Sequence, residues 1–229
     1  MDVASPCQSG PAMTDSLSET AFAPHEALAR DLLAHAVSGD DGSHDLAHIH
    51  RVFRNAMRIH ATEGGNGRVI AAAVLLHDCV AVEKSSPLRS QASRLAAEKA
   101  SGILAGLGWD RLDTAAVAHA IAAHSFSANI RPETLEARIL QDADRLDAIG
   151  MVGAARCFYT AGRMGSALYD PADPLAEHRA LDDRAFAIDH FAAKLFKLSD
   201  NFQTEAGRLI ARERHDRLKT VLAQFIDEI

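Results

Sequence analysis

Apolar residues recur at three- and four-residue steps along most of the chain, as in Leu28, Leu32, Leu33 and Val37, and no stretch sustains the alternation of a half-buried strand. The pattern predicts an all-α protein with helices over residues 17–37, 45–61, 67–79, 90–107, 113–124, 132–149, 152–162, 182–198 and 203–229. Breaks fall at Gly39-Asp40-Asp41-Gly42, at Glu63-Gly64-Gly65-Asn66-Gly67 and at Gly106-Leu107-Gly108, the kind of sequence that stops a helix. Ser90 and Asp113 are the expected N-caps. Residues 163–180, with Gly165, Pro171 and Pro174, interrupt the pattern long enough to read as a lid over a site or as a solvent-exposed connector. No repeat, low-complexity tract or compositional shift marks a second domain, so residues 21–229 read as one domain behind a flexible tail, 1–20. That tail lacks the basic and apolar regions of a signal peptide.

Composition sharpens this reading. With 229 residues, 48% hydrophobic and only 5% aromatic, the core must be built from Ala, Leu, Ile and Val, which suits helices. The longest apolar run, residues 69–76, is far short of the roughly 20 that span a bilayer. A net charge of -7 gives no pull toward nucleic-acid polymers or anionic membranes, so any nucleotide partner is expected to be a small molecule. Cys7, Cys79 and Cys157 are odd in number and widely spaced, which fits a reducing cytoplasm better than a disulfide framework.

The chemistry lies in histidines and aspartates. His77-Asp78 ends the apolar run and carries a neutral nitrogen and an anionic oxygen out of the core together, a donor pair that suits a divalent first-row metal. His44 and His48 are four apart and share a helix face if that helix has begun by His44; otherwise His44 caps or orients it. Asp142, Asp144 and Asp147 lie on a segment whose Ile139, Leu140, Leu146 and Ile149 face a core, and carboxylates drawn toward a core require a cation.

In order stand His44-Asp45-x-x-His48-x-x-Arg51-Val52, Leu75-Leu76-His77-Asp78, Ile121-x-x-His124-Ser125-Phe126-Ser127 and Gln141-Asp142-Ala143-Asp144-Arg145-Leu146-Asp147-Ala148-Ile149-Gly150. This set resembles the HD-domain metal-dependent phosphohydrolase superfamily, whose signature is a His, an adjacent His-Asp and a distant Asp on successive helices. In wording it is similar to the small bacterial HD proteins of the YedJ and YpgQ type, and the likeness runs from Asp31 to the C-terminus. The resemblance implies an HD-domain helical bundle that holds a divalent metal (Mn2+, Mg2+, Co2+, Ni2+ or Fe2+) on His48, His77, Asp78 and Asp144. Asp142 competes with Asp144 for the last position, since the two lie about 200° apart on a helix and one can face the metal. The other, or Asp147, is then an acceptor for an imidazole N–H or for Arg145.

The resemblance further implies hydrolysis of nucleotides, with (d)NTP pyrophosphohydrolysis placed before nucleoside monophosphate dephosphorylation. Asp78, His124 and Glu83 are the catalytic candidates, His124 as a phosphate contact or general acid. Glu83 is a proton acceptor in a region where alarmone-hydrolysing relatives carry a Glu-Asp pair, a departure that weighs against alarmone hydrolysis. Lys84, Arg89, His124, Arg51 and Arg145 are the candidate substrate contacts. Two other classes of function are consistent with the chain: a nucleotide-sensing module without turnover, and a di-iron oxygenase drawing on His119 or His124. A homodimer is compatible with all three.

Overall fold

A computed structural model of the chain describes residues 19–36, 45–82, 86, 88–125 and 128–229, the side chain of Arg89 excepted. The expected tail, His44, Glu83 and Lys84 lie largely or wholly outside these residues. The architecture is all-α: α1 (Glu26–Ala36), α2 (Leu46–Glu63), α3 (Gly67–Leu76), α4 (Ala92–Gly106), α5 (Arg111–His124), α6 (Leu135–Asp147), α7 (Gly150–Met164), α8 (Asp189–Ala193) and α9 (Glu205–Asp227). Among the described residues there is no strand beyond an isolated bridge between Ala167 and Phe186. None of their helices is long and apolar enough to cross a membrane.

Each well-capped start has a local cause. The Asp45 carboxylate accepts from the His48 backbone N–H, Asn66 from Arg68 and Val69, Thr134 from Ala137 and Thr204 from Gly207, satisfying amides that the first turn leaves orphaned. Several expected boundaries move. The first helix does not run over 17–37: a 3-10 turn, Glu19–Phe22, gives way at Pro24, which has no backbone N–H to donate, and α1 starts at Glu26. Asp110, not Asp113, caps α5. Ser90 caps nothing, because α4 is entered through a 3-10 turn and Gln91. The expected helix over 182–198 is one short α-helix, α8, and a 3-10 stretch, Leu195–Asp200.

The central element is α3, whose residues Val69 to Leu76 are all buried. It packs against α1, α2, α5 and α6, while α4 lies on α5 and α9 on α7. Ala71, Ala72 and Ala73 let neighbouring helices approach closely, and the buried apolar cluster draws on every α-helix. The helix, apolar from Val69 to its end, therefore finishes inside the core, and His77-Asp78 emerges there.

Between α7 and α8 the chain is tied to itself. Backbone bonds join Ala167 to Ala185 and Ala187, and Arg179 donates to both oxygens of buried Asp189 at 2.6 and 2.9 Å. The Arg179 guanidinium also lies 3.1 Å from Asp170 and donates to the Asp173 carbonyl. Of the expected 163–180 segment, Arg163 and Met164 belong to α7.

Candidate metal centre

Two helices, α2 and α6, and the C-terminal end of α3 converge on a small polar site. His48, in the first turn of α2, and His77, directly after α3, are each 1% exposed, and their Nε2 atoms are 3.2 Å apart. The Asp78 carboxylate stands 3.4 Å from His77 Nε2 and 3.7 Å from His48 Nε2. Asp144, from α6, brings an oxygen to 3.5 Å from His48 and 3.9 Å from His77. His48, His77 and Asp78 form a group able to hold a metal ion, with ligand atoms all within 4.8 Å of one another. Donors at about 2.0–2.2 Å from one ion sit about 3.0–3.6 Å apart, so this spacing is close to that of a coordination shell.

Hydrogen bonding fixes which nitrogen of each ring faces inward. His48 Nδ1 lies 2.8 Å from the Asp147 carboxylate, an acceptor only, and must carry its proton. His77 Nδ1 lies 2.7 Å from the Val74 carbonyl and must do the same. Both Nε2 atoms therefore present lone pairs to each other, and the gap between them requires a positive charge, either an added proton or a cation. The His77 pKa reports the same demand: burial disfavours its charged form, but the carboxylates of Asp78 and Asp144 and the Val74 carbonyl outweigh it and raise the value.

The surroundings hold these groups in place. Asp147 is 1% exposed and accepts from His48, from Arg51 at 2.6 and 3.0 Å, and from Arg156 at 2.9 Å. Burial raises its pKa, yet the hydrogen bonds from His48 and Arg51 keep the carboxyl well below the usual carboxylate range. Lys99 of α4 donates to the Cys79 carbonyl at 2.8 Å and so steadies the His77-Asp78 turn. Buried Gln141 donates to the Ala123 carbonyl at 2.8 Å, tying α6 to the end of α5 where His124 sits. The His124 ring meets that of His77 edge to face, with centroids 5.1 Å apart, and its Nδ1 donates to the Ile121 carbonyl at 2.6 Å. Burial and then the neighbouring His77 lower the His124 pKa, favouring a neutral ring whose Nε2 can accept.

The other sequence-derived candidates fall elsewhere. Arg51, read as a substrate contact, spends Nε and Nη2 on Asp147. Arg145 donates to the Asn201 carbonyl and lies over the Phe202 ring. Asp142 is turned away from the centre and accepts from the Gln203 and Thr204 backbone N–H groups and from the Thr204 hydroxyl, at 2.7–3.1 Å. A side chain at Gly207 would collide with that carboxylate, so only glycine lets α9 approach so closely. His119 accepts from the Glu133 N–H and takes no part. Arg156 was not singled out by its sequence context, a lone arginine between Ala155 and Cys157; Gln141 stood within a motif but without a role.

Comparisons with known proteins bear on this geometry. A family model described as the HD domain matches residues 45–149, a span that includes His48, His77, Asp78 and Asp144. The chain is 31% identical over 197 residues to YpgQ of Bacillus subtilis, covering 84% of this chain and 88% of that one. An HD-superfamily hydrolase from Bacillus thuringiensis superposes with a TM-score of 0.69 at 32% identity, over 89% of this chain and 97% of the other. The structure of Bacillus subtilis YpgQ in complex with ADP superposes with a TM-score of 0.68 at 29% identity, over 92% and 96% of the two chains.

Proposed function

Because the chain belongs to the HD-domain family of hydrolases, we propose that it is a metal-dependent phosphohydrolase of nucleotides, with release of pyrophosphate from (d)NTPs as its leading reaction. The observation that carries the reading is the pair of Nε2 atoms 3.2 Å apart, each with its Nδ1 proton committed elsewhere, beside the carboxylates of Asp78 and Asp144. This donor set fits a divalent first-row ion, which His48, His77, Asp78 and Asp144 would hold. Bound there, such an ion supplies acidified water and screening of phosphate charge.

The chain's own groups do the rest. Asp147 holds the His48 Nδ1 proton, and the Val74 carbonyl holds that of His77, so both lone pairs stay aimed at one point without reorganisation. Asp78 and Asp144 are 30% and 31% exposed, which leaves the centre open on one side to a phosphate ester. His124, whose Nδ1 is held by the Ile121 carbonyl, keeps its Nε2 edge for the reacting phosphate, as a phosphate contact or general acid. Glu83, Lys84 and Arg89 retain their proposed places as proton acceptor and phosphate contacts. A nucleotide as the ligand is supported by the ADP bound to Bacillus subtilis YpgQ.

The test is turnover of a nucleotide panel under added Mn2+, Mg2+, Co2+ and Ni2+, with phosphate and pyrophosphate measured separately. Pyrophosphate release from one or more (d)NTPs, lost in His77→Ala, is the expected result. Tight nucleotide binding with no turnover under any of the four ions overturns the reading in favour of a sensing module.

A further inference from the structure

Asp147 has more partners than orienting one imidazole requires. Its Oδ2 accepts from His48 Nδ1 at 2.8 Å, from Arg51 Nη2 at 3.0 Å and from Arg156 Nη1 at 2.9 Å, while Oδ1 accepts from Arg51 Nε at 2.6 Å. Arg51 comes from α2, the helix that also carries His48, and forms a fork on the carboxylate that by itself neutralises Asp147. Arg156 comes from α7, which contributes no ligand to the centre, and brings a second positive charge to a carboxylate already neutralised. Its Nη1 also lies 3.4 Å from the Asp147 carbonyl, so it grips main chain and side chain of the same residue at the C-terminal end of α6.

We propose that Arg156 is a positioning residue of the metal centre, which acts on His48 through Asp147 and thereby sets the divalent-ion affinity of the site. This rests on the reading of His48, His77, Asp78 and Asp144 as metal ligands. Both arginines bond to Asp147, which lies on the Nδ1 side of His48, opposite the ring edge that Nε2 presents to the centre. The effect of Arg156 is on Asp147. With Oδ2 shared among three donors and the Asp147 carbonyl also held, the carboxylate has one rotamer, and His48 Nε2 has one direction. Without Arg156, Arg51 alone holds the carboxylate, from the same helix as the imidazole it must orient, and α7 no longer fixes the end of α6 that follows Asp144. Orienting partners of this kind typically change metal affinity by about 10- to 100-fold when removed.

The experiment measures Co2+ binding by calorimetry and by the visible spectrum of the bound ion, without any nucleotide. Arg156→Met is expected to weaken binding about tenfold or more and to alter the Co2+ spectrum. Arg156→Lys, which keeps the charge and can still donate to Asp147, restores most of the affinity. In an Asp147→Asn background, where the amide holds the imidazole proton poorly, Arg156→Met adds little, because its route to His48 has already been removed. Thermal melts of the variants report folding, and the comparison of Met with Lys at matched stability separates positioning from general destabilisation. Wild-type affinity and spectrum in a folded Arg156→Met, or a full additive loss in the Asp147→Asn background, overturns the proposal. A wild-type chain that binds no divalent ion instead overturns the metal reading on which it rests.

Discussion

Asp142 and Asp144, two residues apart on α6, serve opposite sides of that helix: Asp144 reaches 3.5 Å from His48 Nε2, while Asp142 accepts the orphaned N–H groups of Gln203 and Thr204 that lead into α9. One carboxylate belongs to the site and the other to the scaffold. Asp144→Ala is expected to lose divalent-ion binding while remaining helical. Asp142→Ala is expected to keep the ion but strand two backbone donors and a hydroxyl, at a cost of about 1–3 kcal/mol. For a chain of this size that is a fall in melting temperature of about 2–4 °C per kcal/mol, read by circular dichroism. The reverse pattern of metal loss would place the wrong face of α6 toward His77.

The segment between α7 and α8 depends on the charge of Asp189. Burial disfavours that charge, but the hydrogen bonds from Arg179 and from the Asp182 N–H prevail and lower the pKa. A carboxyl whose folded pKa is depressed contributes stability above its unfolded value of about 3.9 and loses it as pH falls through the folded value. Amide exchange across residues 166–188, corrected for intrinsic rates, should therefore accelerate as pH drops below about 4. At neutral pH, Asp189→Asn should expose Arg179 and Arg184 to trypsin several-fold faster than in the wild type. Unchanged cleavage would mean that the Arg179 network does not hold the segment.

Cysteine reactivity gives an independent check on burial. Burial pushes the Cys157 thiol up to about 11, with Asp183 adding to the shift, and it raises Cys79 as well despite nearby Lys99. Since the thiolate is the nucleophile, both residues should resist iodoacetamide at pH 7.5 in the folded protein and react on unfolding. Rapid alkylation of either in the native state, mapped by peptide mass, would contradict the packing described here.

Much of this was legible in the sequence, and for physical reasons. An apolar run that stops at His77-Asp78 can be read as a buried helix delivering two donors, and α3 does so. The helical period alone puts Asp142 and Asp144 on different faces of α6, though it does not say which of them faces His77. Boundaries were less legible, because caps compete locally: Asp110 and Asp113 are both good N-cap residues, and the bonds to Leu112 and Asp113 select the earlier one. The roles of Arg51 and Arg156 were not legible at all. An arginine's long side chain reaches across helices, so its partner is set by tertiary packing and leaves no local pattern.

On the proposed reading, His48, His77, Asp78 and Asp144 together hold a divalent ion. Elemental analysis of the purified chain, loaded with Mn2+ or Co2+ and freed of excess ion, tests it most directly when run beside His77→Ala and Asp144→Ala. About one ion per wild-type chain, and none in either variant with helicity retained, is the predicted result. Equal metal content in all three proteins would contradict the assignment of these side chains as ligands.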